Sequence, residues 1–173
     1  IVHTELNLEI VDYAPASTVL RGYADIYYKV VCDTCHNLCL DFLVQPDSVY
    51  MARRPNAPMQ PAKDWVQTPP AGLIIQHPFQ FPNPGNNPPK GDTLVARIFY
   101  QTRPYQDASG WGGLYGQASP PYVFNLGVGF AADPHSFGRR WMPCFDIFSE
   151  RSTYKFVMTT PADRPAYCNG ELT

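Results

Sequence analysis

This sequence predicts an all-β fold, a β-sandwich, from its proline and aromatic content, its period-two hydrophobic runs and its lack of any convincing amphipathic helix. Among 173 residues there are 19 prolines, 11 tyrosines, 10 phenylalanines and 3 tryptophans. Proline disrupts helices and central strands, whereas aromatic side chains suit a half-buried pleated surface. The apolar fraction of 45% and charged fraction of 16% are those of a chain that buries a core. The length fits one domain of ordinary size.

The strands are read in order. At the start Leu6, Leu8 and Ile10 face one way and Glu5, Asn7 and Glu9 the other, the period of a strand with one buried face. After a Pro/Ser/Thr turn at residues 14–18, Leu20, Gly22, Ala24, Ile26, Tyr28 and Val30 alternate with Arg21, Tyr23, Asp25, Tyr27 and Lys29. Leu38, Leu40, Phe42 and Val44 form a third run, and Leu73, Ile74 and Ile75 a short fourth. Residues 53–90 carry repeated Pro, Asn and Gly, and the cluster at 83–89 reads as an exposed loop. Alternation resumes with Leu94, Ala96, Ile98 and Tyr100, and again with Tyr154, Phe156 and Met158. Short strands separated by turn signals favour a sandwich.

Charge excludes several functions. The net charge is −2, and the longest basic runs are Arg53-Arg54 and Arg139-Arg140. Nucleic acid and anionic membrane surfaces both call for a basic footprint that is missing here. The uncharged stretch 108–132 is interrupted throughout by Gly and Pro and cannot form a spanning helix. The opening at Ile1, without Met or signal peptide, reads as a processed protein or an excised domain.

Cys32-Asp33-Thr34-Cys35-His36 matches the pattern of c-type haem attachment. It falls between two strand patterns, where it reads as a tight hairpin turn. Cys32, Cys35, Cys39 and His36 could instead supply zinc ligands, but no second knuckle follows. A disulfide between Cys32 and Cys39 is expected if the protein is exported, with Cys144 and Cys168 either paired or buried as thiols. The four histidines never form H-E-x-x-H, no G-x-S-x-G elbow occurs, and no phosphate-binding loop opens a helix. Asp146 and Glu150 are close enough in sequence for an acid/base pair, with structural hydrogen bonding as the plainer role. Residues 111–146 are dense in Gly and aromatics, which suits either a binding surface or a conformationally demanding connection.

Arg139-Arg140-Trp141-Met142-Pro143-Cys144-Phe145-Asp146 is similar to the R-x-W/F-x-P-C-x-D signature of the N-terminal domain of aminopeptidase N-type (gluzincin) zinc metallopeptidases. Other segments agree in order: residues 3–10 with the first strand, 20–24 with the second, and 93–100 with the strand before Gly113-Leu114-Tyr115. Residues 150–158 resemble the strand after the signature, and Cys168-Asn169-Gly170-Glu171-Leu172 resembles its S-N-G-x-L segment. Asn125-Leu126-Gly127-Val128-Gly129-Phe130 and Asp133-Pro134-His135 suggest a bacterial branch.

The resemblance implies a saddle-like β-sandwich of antiparallel and mixed strands, with Arg140, Trp141, Pro143, Cys144 and Asp146 as structural signature residues. It covers residues 1–173 as a single N-terminal domain, expected to be truncated before its last strands. A thermolysin-like catalytic domain of the same polypeptide, carrying H-E-x-x-H, a later Glu and the zinc, is absent from the chain. The implied role is non-catalytic: shaping the active-site entrance and helping to bind the amino-terminal end of a peptide substrate.

Family members use a Gln or Glu for that contact. The matching stretch holds Asn125, Leu126, Gly127 and Val128, leaving only an amide or backbone oxygens to accept from an ammonium. Ile147-Phe148 also replaces the family's common Glu-Pro. The chain itself is expected to hold no metal or cofactor and to span no membrane. Export to the periplasm, the outer membrane or the medium is expected, as is edge-strand dimerisation of the fragment. The competing readings are a stand-alone or pseudo-enzyme binding module with the same sandwich, and a haem or metal protein built on Cys32–Cys39.

Overall fold

The computed structural model describes residues 1–68, 72–83, 85–149 and 151–172. Glu150, and with it the Asp146–Glu150 acid/base pair, lies outside the described residues, as does Pro84 of the loop cluster.

The alternating runs at 3–10, 20–29, 93–102 and 153–159 enter the principal sheet, joined there by two strands not read from the sequence, while the run at 38–44 enters another sheet. Strands β1 (His3–Ile10), β2 (Leu20–Lys29), β4 (Pro46–Ala52), β5 (Gln60–Pro61), β8 (Thr93–Thr102) and β12 (Thr153–Thr159) assemble in the order β12-β1-β2-β8-β4-β5. All neighbours are antiparallel except β1 and β12, which run parallel with Leu6 opposite Phe156 and Leu8 opposite Met158. The sheet is therefore mixed, and the family Tyr154, Phe156 and Met158 shares the face of Leu6 and Leu8.

Two smaller sheets cover that face. One has the order β3-β7-β6, from β3 (Asn37–Asp41), β6 (Asp64–Thr68) and β7 (Gly72–Gln76). The other is β11-β10-β9, from β9 (Tyr105–Gln106), β10 (Gly112–Ala118) and β11 (Pro121–Gly129). Leu6, Ala24, Ile26, Met51, Leu94 and Ile98 of the large sheet meet Leu40, Leu73, Ile75 and Leu114 of the small ones in one buried cluster. Layers of this kind remove apolar area from water at about 25 cal/mol per Å². No α-helix forms among the described residues; Gly138–Arg140 makes a single 3-10 turn, η1.

The structure corrects two expectations. Residues 32–36 do not turn a hairpin, because β2 pairs with β1 and β8 while β3 pairs with β7 in another sheet. The disulfide joins Cys32 to Cys35, with Cα atoms 5.7 Å apart, and not to Cys39. Strand pleating explains this: Leu38 and Leu40 of β3 are buried, so Cys39 between them points to solvent as a free thiol. The remaining thiols do not pair either: Cys144 is buried and Cys168 exposed.

Candidate functional site

The signature segment folds inward. Asp146 is buried, and its carboxylate accepts hydrogen bonds from the backbone N–H of Gly138 at 3.0 Å and Arg139 at 3.3 Å, and from Arg139 Nη1 at 2.8 Å. Its own N–H donates to Asp41 Oδ2 at 2.9 Å, and Ser136 Oγ donates to its carbonyl at 2.5 Å. Cys144 and Asp41 exchange backbone hydrogen bonds at 2.8 and 3.1 Å, and Leu43 N–H reaches the Arg139 carbonyl at 2.9 Å. One carboxylate thus fixes η1 against the end of β3.

Around it, burial pushes the Cys144 thiol pKa well above the usual thiol range, and the carboxylates of Asp146 and Asp41 add to the effect. A thiol so disposed is inert. Trp141 stacks on Phe156 of β12 with centroids 6.3 Å apart. The Arg140 guanidinium lies 3.3 Å from the centroid of the Tyr105 ring. Burial lowers the Arg140 pKa; Tyr105 opposes the shift and Arg139 reinforces it.

The second element is the β10–β11 hairpin. Leu114 pairs with Asn125, but Gly112 pairs with Gly129, so β11 carries two extra residues at this point. That bulge takes in Leu126, Gly127 and Val128, and Gly127 sits at φ +70° and Gly112 at φ +107°, where a side chain would be strained. A Cβ on Gly112 would also overlap the Val128 carbonyl. Beyond the bulge, Gly129 N–H donates to the His135 carbonyl and Phe137 N–H to the Gly127 carbonyl, both at 2.9 Å.

Residues 125–128 are all half-buried. Asn125 shares a face with its cross-strand partner Leu114, and its Oδ1 is buried without a hydrogen bond. The exposed groups are its neighbours: Tyr122, Phe124 and, at the start of the following turn, Phe130. Phe130 stacks on the exposed Trp111 at 4.4 Å. Asp107 ties down the base of the turn by accepting from Ala131 N–H at 2.7 Å and Ser109 Oγ at 2.6 Å. The Ser109 hydroxyl and the backbone N–H groups hold the Asp107 carboxyl below its usual pKa, against the opposing pull of desolvation.

In the turn after β11, exposed Asp133 makes no hydrogen bond or ion pair among the described residues. Sequence reasoning takes Asp133 only within the Asp133-Pro134-His135 stretch and not as a site residue, because nothing in its local spacing marks it for binding. His135, in the same stretch, is exposed, and its carbonyl is the group the hairpin uses.

No group of three or more His, Cys, Asp or Glu side chains among the described residues could hold a metal ion. No helix of the described residues is long and apolar enough to cross a membrane.

Known proteins give the arrangement its context. An M1 zinc metallopeptidase from Deinococcus radiodurans, solved with a Tyr-Ser-Ala substrate, superposes with a TM-score of 0.70 at 22% identity, over 100% of this chain and 35% of its own. This chain shares the fold of part of that metallopeptidase. A second structure of an M1 zinc metallopeptidase from Deinococcus radiodurans matches with a TM-score of 0.63 and 21% identity over 94% of this chain and 32% of its own. The leukotriene A4 hydrolase of Saccharomyces cerevisiae matches with a TM-score of 0.57 and 20% identity, over 93% of this chain and 23% of its own. No family description and no curated protein matches the chain at sequence level. These M1 neighbours agree with the N-terminal-domain resemblance read from the sequence. The chain spans about a third of the length of the M1 structures it matches, 35% of the first.

Proposed function

We propose that this chain is the non-catalytic N-terminal domain of a zinc-dependent aminopeptidase, that it forms part of the active-site entrance, and that it receives the amino-terminal end of the peptide. The catalytic domain, with the zinc, would lie in the same polypeptide. The likeness in fold to M1 zinc metallopeptidases supports the general reading.

The observation that carries the finer one is the turn that follows β11. A carboxylate without a partner, Asp133, stands on a turn whose base is pinned by Asp107, three residues from the exposed Phe130 stacked on Trp111. A peptide ammonium needs a charged acceptor, and aromatic faces add cation–π attraction. Residues 125–128 supply no charge, but their bulge sets the position of the turn. Asp133 would then do what Asn125, Leu126, Gly127 and Val128 cannot, and the four would line its approach.

The test uses the natural polypeptide that contains this chain. It should carry H-E-x-x-H and a later Glu; their absence would make the chain a binding or scaffolding module and end the enzyme reading. Given those ligands, Asp133→Asn should lower kcat/KM for an aminoacyl anilide by about 10- to 100-fold, the loss expected for one charge-assisted hydrogen bond. An unchanged kcat/KM would remove Asp133 from substrate binding. The 173-residue chain alone should neither cleave the anilide nor hold stoichiometric zinc.

A further inference from the structure

A groove of about 940 Å³ lies away from the β10–β11 hairpin, at the end of the β4–β8 pair. One wall is the turn after β4, with Arg53, Arg54, Pro55 and Pro58; the other is the loop after β7, with Pro78 and Phe79, and Asp92 closes one side. The size is that of a small-molecule site.

The loop wall is prebuilt. Phe81 N–H donates to Asn86 Oδ1 at 2.6 Å, and Asn87 N–H to Asn83 Oδ1 at 2.8 Å. Asn83 Nδ2 returns a bond to the Asn87 carbonyl at 2.7 Å, and Asn87 Nδ2 anchors the loop to the Asp33 carbonyl at 2.9 Å. Phe79 and Phe81 are buried edge-to-face behind this lattice.

Arg53 lies over Phe81, its guanidinium carbon 4.6 Å from the ring centroid. Stacking removes part of the rotamer freedom that a binding arginine otherwise loses. Neither Arg53 nor Arg54 has a carboxylate partner among the described residues, whereas Arg21, Arg97 and Arg139 each hold one. Two unpaired planar forks beside an apolar wall of proline and phenylalanine suit a carboxylate attached to an apolar body. The single acidic side chain, Asp92, disfavours polyanions.

We infer that this groove is a binding site for a monocarboxylate with an aromatic or aliphatic body, either a free organic acid or the C-terminal carboxylate of an apolar peptide. The site stands independently of the aminopeptidase reading.

The experiment is a titration of the ¹⁵N-labelled protein with 3-phenylpropionate and with its neutral amide, followed by amide chemical shifts. Saturable shifts at Arg53, Arg54 and Thr93 are expected with the acid, with Kd about 1 mM or tighter. The amide should bind at least about tenfold more weakly, and so should the acid to Arg54→Ala and Arg53→Gln, as expected for loss of a hydrogen bond to a charged group. Both arginines are exposed, so the variants keep the fold. A parallel titration with Ala-Ala-Phe and Ala-Ala-Phe-amide distinguishes the sources: tighter binding of the free-acid tripeptide than of 3-phenylpropionate assigns the groove to peptide C-termini, and the reverse to free acids. Equal response to acid and amide, unsaturable shifts, or unchanged affinity in both arginine variants would overturn the inference.

Discussion

Replacing Asp146 with alanine removes the acceptor for three hydrogen bonds at once, those from Gly138 N–H, Arg139 N–H and Arg139 Nη1. The Arg139 side chain is 11% exposed and that of Asp146 7%, so water cannot replace the lost partner. Breaking a buried ion pair from one side costs about 3–5 kcal/mol, because the remaining charge stays desolvated. That is a large share of the about 5–15 kcal/mol that holds an ordinary domain folded. With an m-value of about 2 kcal/mol per M in urea, the unfolding midpoint should fall by about 1.5–2.5 M. Asp146→Asn keeps an oxygen for the backbone donors but loses the charge, and should fall between the two. Arg139→Met with Asp146→Leu, which removes both charges, should recover part of the loss. Urea unfolding followed by tryptophan fluorescence measures all three variants. A midpoint shift below about 0.5 M for Asp146→Ala, on the same m-value, would refute the claim that this carboxylate fixes η1 to the end of β3.

Further outcomes follow from other parts of the chain. Alkylation without reductant, followed by peptide mapping, should label Cys39 and leave Cys32 and Cys35 joined; a Cys32–Cys39 linked peptide would contradict the structure. The Cys32–Cys35 bond closes a loop of sequence separation 3, so the Cys32→Ser/Cys35→Ser variant should lose no more than about 2 kcal/mol on the loop-entropy relation. Burial raises the folded pKa of Tyr28, Tyr100 and Cys144 above the usual values of 10.0 and 9.0. The unfolded chain therefore releases these protons first, and the stabilisation, complete below about pH 9, is lost as pH rises beyond it. Urea titrations between pH 7 and 11 should show this decline, with a later onset in Cys144→Val; a flat profile would count against it. At β12, the outermost strand of its sheet among the described residues, where Val157 is exposed, edge pairing should give a dimer at high concentration that Val157→Lys weakens. A monodisperse monomer in light scattering would exclude it.

Strands β1, β2, β8 and β12 of the large sheet were legible because they obey one period, whereas β4 and β5 were not read from the sequence. Leu6 and Leu8 of β1, Ala24 and Ile26 of β2, and Leu94, Ala96 and Ile98 of β8 are all buried at period-two spacing, although Asp25 and Val95 between them are buried as well. The β10–β11 hairpin was not legible as strands, because Gly112, Gly113 and Gly127 at positive φ and the bulge between them break the alternation. β6 was hidden for another reason: Trp65 and Val66 stand in a segment dominated by turn residues, and their strand depends on pairing with β7. The disulfide failed on pairing as well. Spacing alone allowed Cys39, and only the sheet assignment of β3 turns that side chain outward. In the candidate site the inward-facing signature was readable as a motif, but Trp111 and Phe130 are separated in sequence and meet only in the folded chain, where their rings stack.

The parallel pairing of β1 with β12 also bears on how this polypeptide emerges during synthesis. The first strand takes its second neighbour from a segment 150 residues later, where His3 Nδ1 meets Thr153 Oγ1. At about 5–20 residues per second, a ribosome needs about 8–30 s to deliver it. Through that interval one side of β1 has no strand beside it, and the loop that must close is among the longest the chain contains. Charged and polar groups on β1, Glu5, Asn7 and Glu9, keep the waiting strand soluble on one face, and Lys155 later meets Glu5 at 3.2 Å as the strands align. The strand that opens the chain is thus among the last to be finished.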